Sequence, residues 1–154
     1  MMDKILAKMN EALGFELRAI NMYAHYAANV KGVHRNHLSQ MFNQEVSESL
    51  DHANIVRGAI VKLGGVCVTE RDSMEISHTT SYKEMLEHSL NTELIASRVY
   101  REVLELGMPP SGRPRTGCTH PASKISPCRI HENLLCQCCP RIEEEQSLSP
   151  HSTP

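Results

Sequence analysis

No proline occurs in the first 107 residues of this 154-residue chain; all eight lie after Gly107, as do five of the six cysteines, Cys118, Cys128, Cys136, Cys138 and Cys139. Proline removes a backbone donor and breaks helix interiors, so its absence leaves 1–107 open to long uninterrupted helices. The chain divides into a helix-rich body, 1–107, and a Pro/Cys-rich tail, 108–154. An excess of positive charge is missing too: the formal net charge is −2, which argues against nucleic acid as the main partner. No apolar run approaches the roughly 18 residues of a membrane span. The amphipathic start MMDKILAKMNEAL, with two lysines and two acids, does not resemble a secretory signal. A cytoplasmic protein with no membrane partner is expected, long enough to bury one domain's core.

What is present is helical periodicity. Residues 3 to 31 carry Ile5, Leu6, Met9, Leu13, Ile20, Tyr23, Ala27 and Val30 close to a 3.6-residue period, which predicts one helix of roughly 40 Å. After a break at Gly32-Val33-His34, Leu38, Met41, Phe42, Val46, Ile55, Ile60 and Leu63 mark a second helix, ended by Gly64-Gly65 as a left-handed cap. Val66 to Thr80 lacks helical period. A connection that long suits a crossover along the length of a bundle, with helices two and three parallel. Ser81-Tyr82-Lys83-Glu84 reads as a capping box opening a third helix to about Leu106.

The chemistry concentrates in Phe42 to Asn54, FNQEVSESLDHAN. At about 100° per residue, Glu45 lies about 20° and Glu48 about 40° from His52, so all three share one side of the second helix. If the Gly32 break is a hairpin turn, residues equidistant from about position 33 sit side by side, which sets Glu16 beside the Glu48 to His52 segment. Glu16 is embedded among Leu13, Phe15, Leu17 and Ile20, where a lone carboxylate costs several kcal/mol of desolvation; a metal ion is one partner that offsets this. On the third helix Glu93, flanked by Leu90, Leu94 and Ala96, is a further carboxylate near the apolar side. Tyr23, two turns after Glu16, is either core or a hydrogen-bond donor to a ligand. His88, about 140° from Glu93, is expected at the surface.

The segments NEALGFELRAINMYAHY, EVSESLDHANIV followed by LGG, and SLNTELIASRVYREVLEL resemble helices A, B and C of the bacterioferritin-type ferritins. The resemblance covers residues 1 to about 106. It implies an all-α, ferritin-like four-helix bundle with a long crossover between helices B and C, of which three helices are recognisable here. It further implies a di-iron carboxylate centre, built from one Glu on each of two helices and a Glu-x-x-His pair on each of the other two. Such proteins oxidise Fe(II) with dioxygen or peroxide, and many assemble as homo-oligomeric shells that store the ferric mineral. Carried over by residue, the resemblance makes Glu16 the helix A ligand, His52 the helix B histidine and Glu93 the helix C carboxylate. The bridging Glu position, three residues before His52, is Ser49; the nearest carboxylate is Glu48, with Glu45 behind it. The expected metal set is therefore Glu16, Glu48, His52 and Glu93, holding two irons or only one. Haem is not expected, because Leu50 stands where haem-binding members have methionine.

The tail holds no second Glu-x-x-His. Cys128, Cys136, Cys138 and Cys139, with His120 and His131, invite a zinc reading, but Cys136-x-Cys138-Cys139 is tighter than usual zinc knuckles. Since the composition changes where the resembled chains enter helix D, the tail is expected to be disordered or the product of a shifted reading frame. Zinc binding by the tail and a non-catalytic helical interaction module, using the groove left by the missing helix, are the rival functions.

Overall fold

A computed structural model describes residues 2–107, which form three helices: α1 (Met2–Asn29), α2 (Arg35–Lys62) and α3 (Tyr82–Gly107). No strand occurs among the described residues. The readings of the tail as zinc site, disordered segment or shifted frame fall outside the described residues.

The α1–α2 hairpin turns at Gly32, whose φ of +89° lies in the region that favours glycine. Its amide partner is close at hand, since Arg35 N–H donates to the Gly32 carbonyl at 3.1 Å. The mirror at position 33 holds: Ser39 Oγ donates to the Ala27 carbonyl at 3.0 Å, and both residues are six from Val33. At the far end of α2, Gly64 takes φ +75°. There Gly65 N–H bonds Ile60 O at 2.9 Å and Gly64 N–H bonds Val61 O at 3.0 Å, the two bonds of a Schellman cap.

From this cap, residues 63–81 run the length of α1 as a strap, held at successive heights. Asn10 Nδ2 donates to Val66 O at 2.9 Å and its Oδ1 accepts from Val68 N–H at 2.9 Å. Asp72 N–H donates to Gly14 O at 2.8 Å. A Cβ at Gly14 would stand 3.4 Å from the Asp72 nitrogen, so this close approach is made on a glycine. Arg18 then reaches Met74 O (3.1 Å) and Glu75 O (2.8 Å), and Tyr26 OH donates to Ser77 O at 3.2 Å. The strap's rising numbers follow those of α1, so it delivers the chain to the opposite end of the bundle.

The capping box at α3 works through an extra residue. Glu84 N–H donates to Ser81 Oγ at 3.4 Å, but Ser81 N–H donates to Thr79 Oγ1 (3.0 Å), whose hydroxyl donates to Glu84 Oε2 (2.5 Å). Thr79 relays the reciprocal half of the box. Along α3, His88, Thr92 and Tyr100 meet Tyr26, Arg18 and Glu16 respectively. Both α2 and α3 are therefore antiparallel to α1 and parallel to each other. They flank α1 without a close backbone approach between them.

The core is in two parts. One gathers Met9, Leu13, Val56, Ile60, Val99 and Val103; the other gathers Met22, Tyr26, Val30, Leu38, Phe42 and Met85. Each fully buried apolar side chain contributes about 1.5–3 kcal/mol, so these clusters supply the main cohesion. Between them lies a layer where α1 carries Glu16 and Arg18, both only 5% exposed. Leu90 and Leu94, one turn apart on α3, are 62% and 61% exposed.

Candidate metal centre

The polar layer opens into a cleft of about 310 Å³ whose walls include Glu16, Glu45, Glu48, Ser49, His52 and Glu93. It is formed by the levels of three helices that the hairpin and the strap bring together. Among the described residues, four carboxylates and one imidazole line it, and no lysine or arginine does.

Glu16 is at its floor. Tyr100, itself 1% exposed, donates its hydroxyl to Glu16 Oε1 at 2.5 Å, a charge-assisted bond in a buried setting. His52 Nδ1 is 3.6 Å from the same oxygen. That distance exceeds a hydrogen bond, yet it sets a nitrogen and an oxygen donor on one space. On the opposite wall, Tyr23 donates to Glu93 Oε1 at 2.7 Å. Tyr23 is at once core, 1% exposed and stacked on Phe42 with ring centroids 6.2 Å apart, and a hydrogen-bond donor into the site.

The carboxylates crowd one another. Burial pushes Glu93 up from the ordinary carboxylate range; the Tyr23 hydrogen bond opposes this, while Glu16 and Glu48 add to it and His52 subtracts. Glu45 is also raised, chiefly by burial and then by Glu48 and Glu93. Both tyrosine hydroxyls are held strongly in their neutral, donating form by burial beside these carboxylates. An arrangement that makes acids hard to ionise together is one that a cation relieves.

Of the four expected ligands, Glu16, His52 and Glu93 face the cleft with the pairings above. Glu48 is on its wall, but its Oε1 accepts from Gln44 Nε2 at 2.9 Å on the exposed side of α2. The bridging position is a buried Ser49, 5% exposed. As the side chains stand, no three His, Cys, Asp or Glu groups among the described residues are gathered closely enough to hold an ion. The chemistry of the set nonetheless fits a transition ion that takes mixed oxygen and nitrogen donors.

The structure corrects one expectation. His88 is half-buried rather than on the surface: its Nδ1 meets Tyr26 OH at 2.7 Å, and the rings stack 6.1 Å apart. Sequence reading also passed over Tyr100, Arg18 and Thr92. Tyr100 was findable, because it follows Glu93 by two helical turns and so shares its stripe. Arg18 and Thr92 gave no such signal; they meet at 3.0 Å only because α1 and α3 pair antiparallel in this register.

Set against known proteins, the chain matches the profile of the ferritin-like domain over residues 6–108. No curated protein matches it significantly. Among solved structures, one similar to it is a ferritin-like, diiron-carboxylate protein from Bacillus anthracis str. Ames, at 25% identity and TM-score 0.66, covering 96% of each chain. Another is a dodecameric thioferritin, the bacterioferritin-related protein from Bacteroides fragilis, at 20% identity and TM-score 0.67, covering 96% of this chain and 84% of that one.

Proposed function

Because the chain belongs to the ferritin-like domain family, we propose that its cleft binds Fe(II) and oxidises it, with storage of the ferric product as the end. The observation that carries this reading is the donor set: among the described residues, four carboxylates and one imidazole line the cleft, with no lysine or arginine. In this reading Glu16 and His52 hold the iron from α1 and α2, and Glu93 holds it from α3. Glu45 and Glu48 draw the cation in from the open side. Iron supplies the electrons, one from each Fe(II): dioxygen taking four electrons and four protons, or peroxide taking two of each, becomes two waters.

The residues of the chain set the terms of that chemistry. Tyr100 and Tyr23 each donate to one oxygen of Glu16 and of Glu93 and so hold both carboxylates in place, with lone pairs left for the ion. Burial, with the neighbouring carboxylates added, favours the protonated forms of Glu45 and Glu93, and a bound cation opposes this, so affinity rises with pH. Ser49 has no carboxylate with which to bridge two ions, and Glu48 is tied to Gln44. The site is accordingly a one-iron or weakened two-iron centre.

The diiron-carboxylate protein from Bacillus anthracis supports iron as the metal, and the dodecameric Bacteroides structure supports a homo-oligomer. A neighbouring copy would cover Leu90 and Leu94. Among the described residues no helix is long and apolar enough to cross a membrane, and we place the protein in the cytoplasm.

An aerobic Fe(II) titration followed by near-UV absorbance tests the proposal. The wild type oxidises Fe(II) faster than buffer, while Glu16→Ala and His52→Ala fall to the buffer rate. Oxidation at wild-type rate in both variants removes the cleft from the mechanism.

A further inference from the structure

A second pair of donors lies away from the cleft. His25 of α1 and His78 near the end of the strap approach with Nε2 and Nδ1 3.0 Å apart, their rings crossed at 72°. His25 follows Glu16 by nine residues, which places it about 14 Å along α1 and on the opposite side of the helix. The pair therefore shares no wall with the carboxylates. His78 is exposed and His25 half-exposed, so solvent and ions reach both.

We propose that His25 and His78 form a bidentate site for a divalent transition ion that favours imidazole, with Zn²⁺ as the working case and solvent completing its coordination. The first argument is geometric. Two Zn–N bonds of about 2.0–2.1 Å, opened by a roughly tetrahedral angle, separate their nitrogens by about 3.3 Å. The observed 3.0 Å is within a few tenths of that bite, so small ring rotations suffice.

The second argument is preorganisation. The two histidines are 53 residues apart in sequence, yet the backbone on both sides is already fixed. Asn29 Nδ2 donates to the His25 carbonyl at 2.7 Å, and Tyr26 OH holds the carbonyl of Ser77, the residue before His78, at 3.2 Å. Little conformational freedom remains to be lost on binding, the main cost of assembling a chelate from a loop and a helix. Because the ion would join α1 to the strap, its binding also stabilises the folded chain.

The pair as it stands shares one proton, since one imidazole must donate to the other. Zn²⁺ replaces that proton contact, and each ring then carries its remaining N–H on the nitrogen away from the ion.

The experiment is Zn²⁺ binding to the full-length protein by equilibrium dialysis, with His25→Ala, His78→Ala and, at an exposed histidine of α2, His37→Ala measured beside wild type. Zn²⁺ taken up by cysteines or carboxylates elsewhere is common to all four proteins and cancels in the comparison. Expected is the loss of one bound equivalent in both His25→Ala and His78→Ala, together with the loss of part of the Zn²⁺-induced rise in melting temperature. His37→Ala, at a position neither site uses, keeps that equivalent. Unchanged stoichiometry in either His25→Ala or His78→Ala overturns the proposal. Imidazole ¹⁵N resonances of wild type decide independently of variant folding: those of His25 and His78 must shift together as one equivalent of Zn²⁺ binds, and resonances that stay in place refute the site. None of these readouts depends on iron oxidation, so this site and the cleft can fail separately.

Discussion

Arg18→Met is the perturbation with the most to lose. The Arg18 guanidinium is buried between α1, α3 and the strap, with Nε on Met74 O at 3.1 Å, Nη2 on Glu75 O at 2.8 Å and Nη1 on Thr92 Oγ1 at 3.0 Å. Methionine keeps the stem's apolar volume and removes all three donors. A hydrogen bond to a charged group is worth about 1.5–3 kcal/mol, so the gross loss is about 4.5–9 kcal/mol. Two effects reduce it. Burial already pulls the guanidinium below its ordinary pKa, so removing the charge returns part of a desolvation cost. The two strap carbonyls, moreover, lie on exposed residues and can turn to water. A net loss of about 2–4 kcal/mol remains. With a urea slope of about 1–2 kcal/mol/M, the midpoint falls by about 1–4 M. Hydrogen exchange gives the local test, because the Asp72 amide bonds Gly14 O at 2.8 Å one step up the strap and should lose protection. A loss below about 1 kcal/mol, with the Asp72 amide as protected as before, would refute the reasoning.

Three further outcomes follow from the same contacts. Tyr100→Phe leaves buried Glu16 without its donor and should cost about 1.5–3 kcal/mol in urea denaturation, against less than about 0.5 kcal/mol for exposed Tyr82→Phe. Glu45 and Glu93 bind protons more tightly folded than unfolded, so their contribution is full below the unfolded value near 4.5 and is lost as pH rises through their raised folded range; Glu45→Gln should flatten that fall in the metal-free protein and raise its stability at neutral pH. Gly64→Ala forces a Cβ into φ +75° and should lower stability by about 1 kcal/mol, seen as a lower melting temperature.

The helices and their order were legible because each rests on local signals: an apolar 3.6 period, Gly64-Gly65 at the end of α2 and Ser81 at the start of α3. The meeting of Glu16 with His52 was legible from one further assumption, that Gly32 turns an antiparallel hairpin. What escaped depends on register between elements distant in sequence. Arg18 was invisible because its partners are two strap carbonyls and a threonine that no periodicity brings to it. His88 was misplaced for a related reason: its angle from Glu93 says it leaves the cleft, but not that Tyr26 waits on the other side. Glu48 shares a stripe with His52, as its spacing requires, yet its carboxylate is engaged by Gln44 one turn earlier. Angular position fixes a side chain's face, while its bonding partner is chosen among rotamers.

Iron binding in the cleft is decided by anomalous diffraction at the iron edge, from crystals soaked anaerobically in Fe(II). Expected is a peak in the cleft within bonding distance of Glu16, His52 and Glu93, and its disappearance in Glu16→Ala crystals. A cleft without an iron peak, or a peak that survives Glu16→Ala unchanged, would contradict it.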